Sequence, residues 1–104
     1  MGLVHGTTIA IDGCGILLRG ASGAGKSDLA LRLIDAGAEL VADDQTALTV
    51  DKGILYAQAP DQLRGLLEVR GIGIMTLPYR NRCALALLAD QIPQCRLIMR
   101  VFQK

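Results

Sequence analysis

GASGAGKS, from Gly20 to Ser27, limits the architecture of this chain more than any other segment. It fits G-x-x-x-x-G-K-[ST], in which glycines let the backbone close into a ring of N–H groups aimed at phosphate oxygens. Such a loop needs a buried strand before it and a helix after it, whose N-terminal end adds positive potential. Both flanks are legible. Ile16-Leu17-Leu18 is a short apolar run that stops just before Gly20, as a buried strand would. From Ser27 the period becomes helical: Leu29, Ala30, Leu33 and Ile34 share one face, while Asp28, Arg32 and Asp35 point elsewhere. Gly37 stands where a helix C-cap is wanted. A glycine-rich turn without a ligand is the plainer alternative, and the flanks favour the phosphate loop.

The rest of the chain reads mainly as strands. Thr7–Asp12 alternates like a strand, with Gly13-Cys14-Gly15 as the turn after it. Leu40-Val41-Ala42 is a second apolar strand, stopped by Asp43-Asp44. Thr46–Val50 and Ile54–Ala57 flank Asp51-Lys52-Gly53, a hairpin turn. Pro60 opens a short helical turn through Leu63, and Leu66–Val69 is another strand, followed by a glycine-punctuated stretch to Met75. Cys83–Ala89 and Leu97–Phe102 close the series. Crossover helices are missing after Asp44, so a doubly wound parallel sheet does not fit. The expected fold is α/β: a mixed β-sheet with hairpins and one main helix after the phosphate loop. With 104 residues, residues 1–104 form one domain with a single modest core.

Composition narrows the function classes. A formal net charge of +1 and only three aromatic residues, Tyr56, Tyr79 and Phe102, give neither the field nor the stacking platforms of a nucleic-acid binder. Residues 79–104 carry five basic side chains and one acidic; this end can receive a phosphate or be a solvated positive face. Cys14, Cys83 and Cys95 lack C-x-x-C spacing and read as reduced thiols of a cytoplasmic protein. Neither a signal-peptide pattern nor a membrane-length apolar run is present.

Within the loop, Lys26 offers a point charge for the β- and γ-phosphates and Ser27 a hydroxyl for Mg²⁺. Asp43-Asp44 ends an apolar strand, and on extended backbone two neighbours point to opposite sides. One can face a Mg²⁺ shell and the other an incoming nucleophile whose proton it accepts; a strand-end turn is the alternative. Glu68 is either the outward position of a half-buried strand or a second oxygen ligand for Mg²⁺, with Arg70 on its side. His5 precedes the first predicted strand and is either solvent-exposed or catalytic.

Taken in order, Val4-His5-Gly6, Gly20–Ser27, Leu40-Val41-Ala42-Asp43-Asp44 and Leu67-Glu68-Val69-Arg70-Gly71-Ile72-Gly73-Ile74 resemble the catalytic domain of bacterial HPr kinase/phosphorylase. The last segment is similar to that family's own E-[IV]-R-G-[LI]-G signature. The likeness covers about residues 4–78. It implies a mixed sheet related to phosphoenolpyruvate carboxykinase, ATP and Mg²⁺ as cofactors, and a serine of the phosphocarrier HPr or a paralogue as acceptor. It also implies reversal by phosphorolysis, a role in regulating the sugar phosphotransferase system, and a hexameric assembly. By position, Asp44 would be the base with His5 assisting, Lys26 would stabilise the moving phosphoryl group, and Ser27 with Glu68 would hold Mg²⁺. Gly20, Ala21, Ser22, Gly23, Ala24 and Gly25 would cradle the nucleotide, and Arg70 lies in the segment used in both directions. The family commonly has Asp and Glu where Ala21 and Asp28 stand here. The resemblance further implies a short form without the N-terminal domain and truncated at the C-terminus, with Thr76–Lys104 left beyond the signature, where Arg80, Arg82, Arg96 and Arg100 are candidates by charge for a later arginine. A nucleotide-binding regulator without phosphotransfer and a small-molecule kinase on the same scaffold are the competing readings.

Overall fold

Two strands that bend side by side organise the molecule. The computed structural model describes residues 2–20, 26–69, 71–92 and 96–101, with 26–27, 90–92 and 96–101 described by backbone alone. Its elements are β1 (Gly2–His5), β2 (Thr7–Ile11), β3 (Cys14–Gly20), α1 (Lys26–Asp35), β4 (Glu39–Ala42), β5 (Gln45–Asp51), β6 (Ile54–Gln58), β7 (Leu66–Val69), β8 (Gly73–Thr76), β9 (Cys83–Ile92) and β10 (Arg96–Val101). A single 3₁₀ turn, Asp61–Leu63, follows Pro60. The main sheet has the order β1-β5-β6-β9-β3-β2-β4, with β10 also on β9, and β7–β8 forms a separate hairpin. β3 and β9 run parallel, and the other strand pairs are antiparallel. The sheet is therefore mixed, with one α-helix among the described residues, as the missing crossovers predict.

β1 runs into β2 through a bend at Gly6, and β4 runs into β5 through a bend at Asp43-Asp44. The two bends lie against each other: the Gly6 N–H donates to the Asp44 carbonyl at 2.8 Å. On one side of this corner Thr8 pairs with Ala42; on the other, His5 pairs with Gln45. The end strands β1 and β4 are thus covalently continuous with β2 and β5, and the sheet closes on itself there. Gly6 is required by space. A Cβ at this position would lie 2.9 Å from the Leu18 carbonyl oxygen and 2.8 Å from Leu17 Cδ1. Gly6→Ala should therefore overpack the corner and lower unfolding free energy by about 1–3 kcal/mol. Urea denaturation would show this as a lower midpoint at unchanged slope, and an unchanged midpoint would refute it.

Side-chain alternation along β3 divides the core. Leu18 and Ile9 pack with Ala30 of α1, and Ile16, Leu29, Leu33 and Ile34 close round them. Leu17 joins Ala57, Leu85 and Leu88 in a second cluster with Val4, Leu48 and Leu55. Residues 7–10 are buried on both faces of β2, so this strand is not the half-exposed alternating one that the sequence suggests. The β7–β8 hairpin lies alongside α1, with Leu67 and Val69 packed on Leu40, Leu31 and Ile34. Helix α1 ends as expected: Ala38 N–H donates to the Leu33 carbonyl at 2.9 Å and Gly37 N–H to the Ile34 carbonyl at 3.0 Å, with Gly37 at φ +116°. That bonding satisfies two carbonyls left over at the helix end.

Two details differ from expectation. The turn after β2 is Asp12-Gly13, with φ of 51° and 81°, and Cys14 already begins β3 opposite Ile11. Positive φ at both central residues matches the twist of a two-residue hairpin, so the Asp-Gly pair takes the turn one residue earlier than Gly13-Cys14-Gly15. Strands β1 and β8 were not anticipated at all.

Cys83, at the start of β9, is buried and unbridged, whereas unbridged Cys14 is exposed. Burial pushes the Cys83 thiol up from 9.0 to about 11, against a smaller opposing pull from Arg80. A thiol held protonated by folding contributes stability below its unfolded pKa and loses it as pH rises through the folded one. Stability should fall between about pH 9 and 11, and Cys83→Ala, measured by urea titration across that range, should flatten the decline.

Candidate active site

The carboxyl ends of β3 and β4 point the same way, because β2 lies antiparallel to both. β3 ends at Gly20 and α1 begins at Lys26, so the helix N-terminus belongs to this end of the sheet. The corner of Gly6, Asp43 and Asp44 lies there too, where parallel strands commonly present ligands. Ala21, Ser22, Gly23, Ala24, Gly25 and Arg70 are outside the described residues, and Lys26 and Ser27 are placed by backbone only.

At the corner His5, on the last position of β1, meets Asp44: Nε2 lies 2.9 Å from Oδ1, with side chains 54% and 63% exposed. The acidic pair does diverge, but not on extended backbone. Asp44 has φ +68°, and Gln45 N–H donates to the Asp43 carbonyl at 2.7 Å, a tight three-residue turn in a sparsely populated conformation. Asp44 is thereby turned to solvent while Asp43 is 6% exposed. Thr7 Oγ1–H donates to Asp43 Oδ1 at 2.9 Å, and the Glu68 N–H donates to Oδ2 at 2.9 Å. Glu68 is brought to the corner by its backbone, with its own side chain exposed.

A second buried pair supports the first. Thr46 Oγ1 donates to the Gly6 carbonyl at 3.1 Å, so its contact with Thr8 Oγ1 at 2.8 Å uses the Thr8 proton, since each hydroxyl has one to give. Thr7, Thr8 and Thr46 are fully buried and all bonded here. Sequence reasoning missed them. The available signal was Thr7-Thr8 leading into Ile9-Ala10-Ile11: hydroxyls in a strand apolar on both faces require partners.

A family model described as the HPr Serine kinase C-terminal domain matches residues 2–79. The chain belongs to that family. Over 75 residues it is 45% identical to an HPr kinase/phosphorylase of Peptoclostridium acidaminophilum, a match covering 71% of this chain and 24% of that protein. Over 73 residues it is 47% identical to one from Lactobacillus acidophilus, covering 69% of this chain and 23% of that protein. The chain thus spans about a quarter of the length of these curated relatives. The structure of the HPr(Ser) kinase/phosphatase from Coxiella burnetii superposes with a TM-score of 0.82 at 30% identity, covering 86% of this chain and 65% of that one. The HPr kinase fold therefore extends past the segment that the family model matches.

Set in this HPr kinase domain, the oxygen-rich corner suits a Mg²⁺-nucleotide by its chemistry. Among the described residues no three His, Cys, Asp or Glu side chains converge as a metal cage. Mg²⁺ is commonly held by one or two carboxylates together with substrate phosphates and water. Asp43, with the Glu68 backbone bonded to it, offers carboxylate chemistry of that kind at the end of the sheet where α1 begins. Two candidate arginines stand apart. Arg80 is 2.9 Å from Glu39, at the opposite end of β4, and Arg82 stacks 3.8 Å over the Tyr56 ring, near Asp51. The side chains of Arg96 and Arg100 lie outside the description. No helix among the described residues is long and apolar enough to cross a membrane.

Proposed function

We propose that this chain is an ATP- and Mg²⁺-dependent kinase domain that phosphorylates a serine of HPr or a paralogue, in regulation of the sugar phosphotransferase system. The observation that carries this reading is the exposed Asp44 carboxylate held 2.9 Å from His5, at the same end of the sheet as the N-terminus of α1. A base must reach the proton that it removes. Asp44 faces solvent, where a protein serine can approach; the buried Asp43 does not.

In the proposed reaction Asp44 accepts the serine hydroxyl proton as that oxygen forms a bond to the γ-phosphorus. The bond from phosphorus to the bridging oxygen breaks, and ADP leaves. His5 orients the Asp44 carboxylate. The backbone of 20–25 and the Lys26 ammonium hold the phosphates, where positive charge matters most as phosphoryl transfer proceeds. Ser27, Asp43 and Glu68 are the residues that would hold Mg²⁺, which when bound neutralises phosphate charge. In reverse, an oxygen of inorganic phosphate attacks the phosphorus of phosphoserine, the bond from phosphorus to the serine oxygen breaks, and pyrophosphate leaves. Asp44 passes the proton given up by the attacking phosphate to the serine oxygen, and Arg70 belongs to the sequence segment that the family resemblance assigns to both directions. The relatives' name, HPr kinase/phosphorylase, supports both directions.

The test is incubation of the chain with γ-labelled ATP, Mg²⁺ and HPr. Label should appear on an HPr serine and vanish with Lys26→Ala. Unimpaired ATP binding with no transfer to HPr at micromolar enzyme would overturn the proposal.

A further inference from the structure

We infer that Thr7 is a positioning residue that sets both aspartates of the corner through a single hydroxyl. The inference rests on the kinase reading above. Thr7 is fully buried. Its Oγ1–H is given to Asp43 Oδ1 at 2.9 Å, and the same oxygen accepts the Asp44 N–H at 3.3 Å. A hydroxyl has one proton and two lone pairs, so both contacts form at once and each fixes the direction of the other. The first holds the Asp43 carboxylate inward, where the Glu68 N–H takes its second oxygen at 2.9 Å. The second pins the peptide of Asp44 in its turn at φ +68°, and that turn sends the Asp44 side chain outward to His5.

The consequence is specific to the hydroxyl. Valine has the shape of threonine and fills the same space, but it neither donates nor accepts. Serine keeps both hydrogen bonds and gives up a methyl group. A residue that served only packing would tolerate valine better than serine, and the positioning role predicts the reverse.

The test compares wild type, Thr7→Val and Thr7→Ser in HPr phosphorylation and in amide hydrogen exchange of the folded chain. Thr7→Val should lower kcat about tenfold to a hundredfold through misplacement of Asp44. Thr7→Ser should recover most of kcat. Exchange of the Asp44 amide should speed up about tenfold in Thr7→Val, the scale of one lost hydrogen bond, and stay slow in Thr7→Ser. If Thr7→Val does not fold, Thr7→Cys, a weak donor and acceptor, takes its place with the same expectations. Valine transferring phosphate within twofold of wild type, serine failing as badly as valine, or an Asp44 amide indifferent to valine would each overturn the inference. If wild type itself transfers nothing to HPr, the kinase reading fails instead, and amide exchange alone decides the role of Thr7.

Discussion

On the proposed reaction, Asp44→Asn should lower the initial rate of serine phosphorylation on HPr by about 10²–10⁴-fold, the contribution typical of a positioned proton acceptor, and leave the fold and ATP affinity intact. The amide keeps the size of the carboxylate and one oxygen facing His5, so the geometry at 2.9 Å survives while the capacity to take a proton is lost. Stability should barely change, because both partners are more than half exposed and open ion pairs contribute about 0–1 kcal/mol. Initial rates with labelled ATP, an ATP titration and a thermal melt check the three parts separately. A loss of activity matched by a comparable loss of ATP affinity would mean that Asp44 serves nucleotide binding rather than proton transfer.

Asp43→Ala has the opposite signature, although the residue is the immediate neighbour. Truncation strands the Thr7 hydroxyl and the Glu68 N–H, which donate to its two oxygens at 2.9 Å each in a buried setting. Hydrogen bonds to an ionised acceptor contribute about 1.5–3 kcal/mol each, a large share of the roughly 5–15 kcal/mol that holds a domain folded. The urea midpoint should therefore drop sharply, and activity should go with it. Asp43→Asn keeps one acceptor and separates the roles: its fold should persist, and raised Mg²⁺ should restore part of its activity if Asp43 holds the metal. A wild-type urea midpoint for Asp43→Ala would contradict the buried network.

Much of this arrangement is legible in the sequence because its signals are strong and local. The change of period at Ser27, the apolar run at Ile16-Leu17-Leu18, the Lys52-Gly53 turn and Gly37 all sit within the elements expected of them. What was illegible depends on partners distant in sequence. β1 has only Leu3 and Val4 as apolar residues and becomes a strand because β5 offers it an edge. β8 puts Ile72, in the turn before it, and Ile74 outward, 74% and 70% exposed, against the usual sense of apolar burial, and Val69 opposite Gly73 sets its register. At the site, residue types and the family resemblance singled out His5, Asp43, Asp44 and Glu68, but that one aspartate faces solvent while the other is buried comes from a backbone turn. An Asp at φ +68° leaves no mark in composition or spacing. The threonines were overlooked because strand propensity accounts for them well enough, and only burial shows that their hydroxyls must be satisfied.

The paired bend also bears on how the chain acquires its chemistry. His5 and Asp44 are 39 positions apart, and Asp43 finds the Glu68 backbone across 25. Contacts of such range require loop closure before they return any stabilisation, which makes them slow to form. Neither α1 nor any single hairpin among the described residues contains this corner. A refolding chain should regain helical signal first and the proposed phosphotransfer only when both bends have met, so recovery of that activity would time the closing of the sheet.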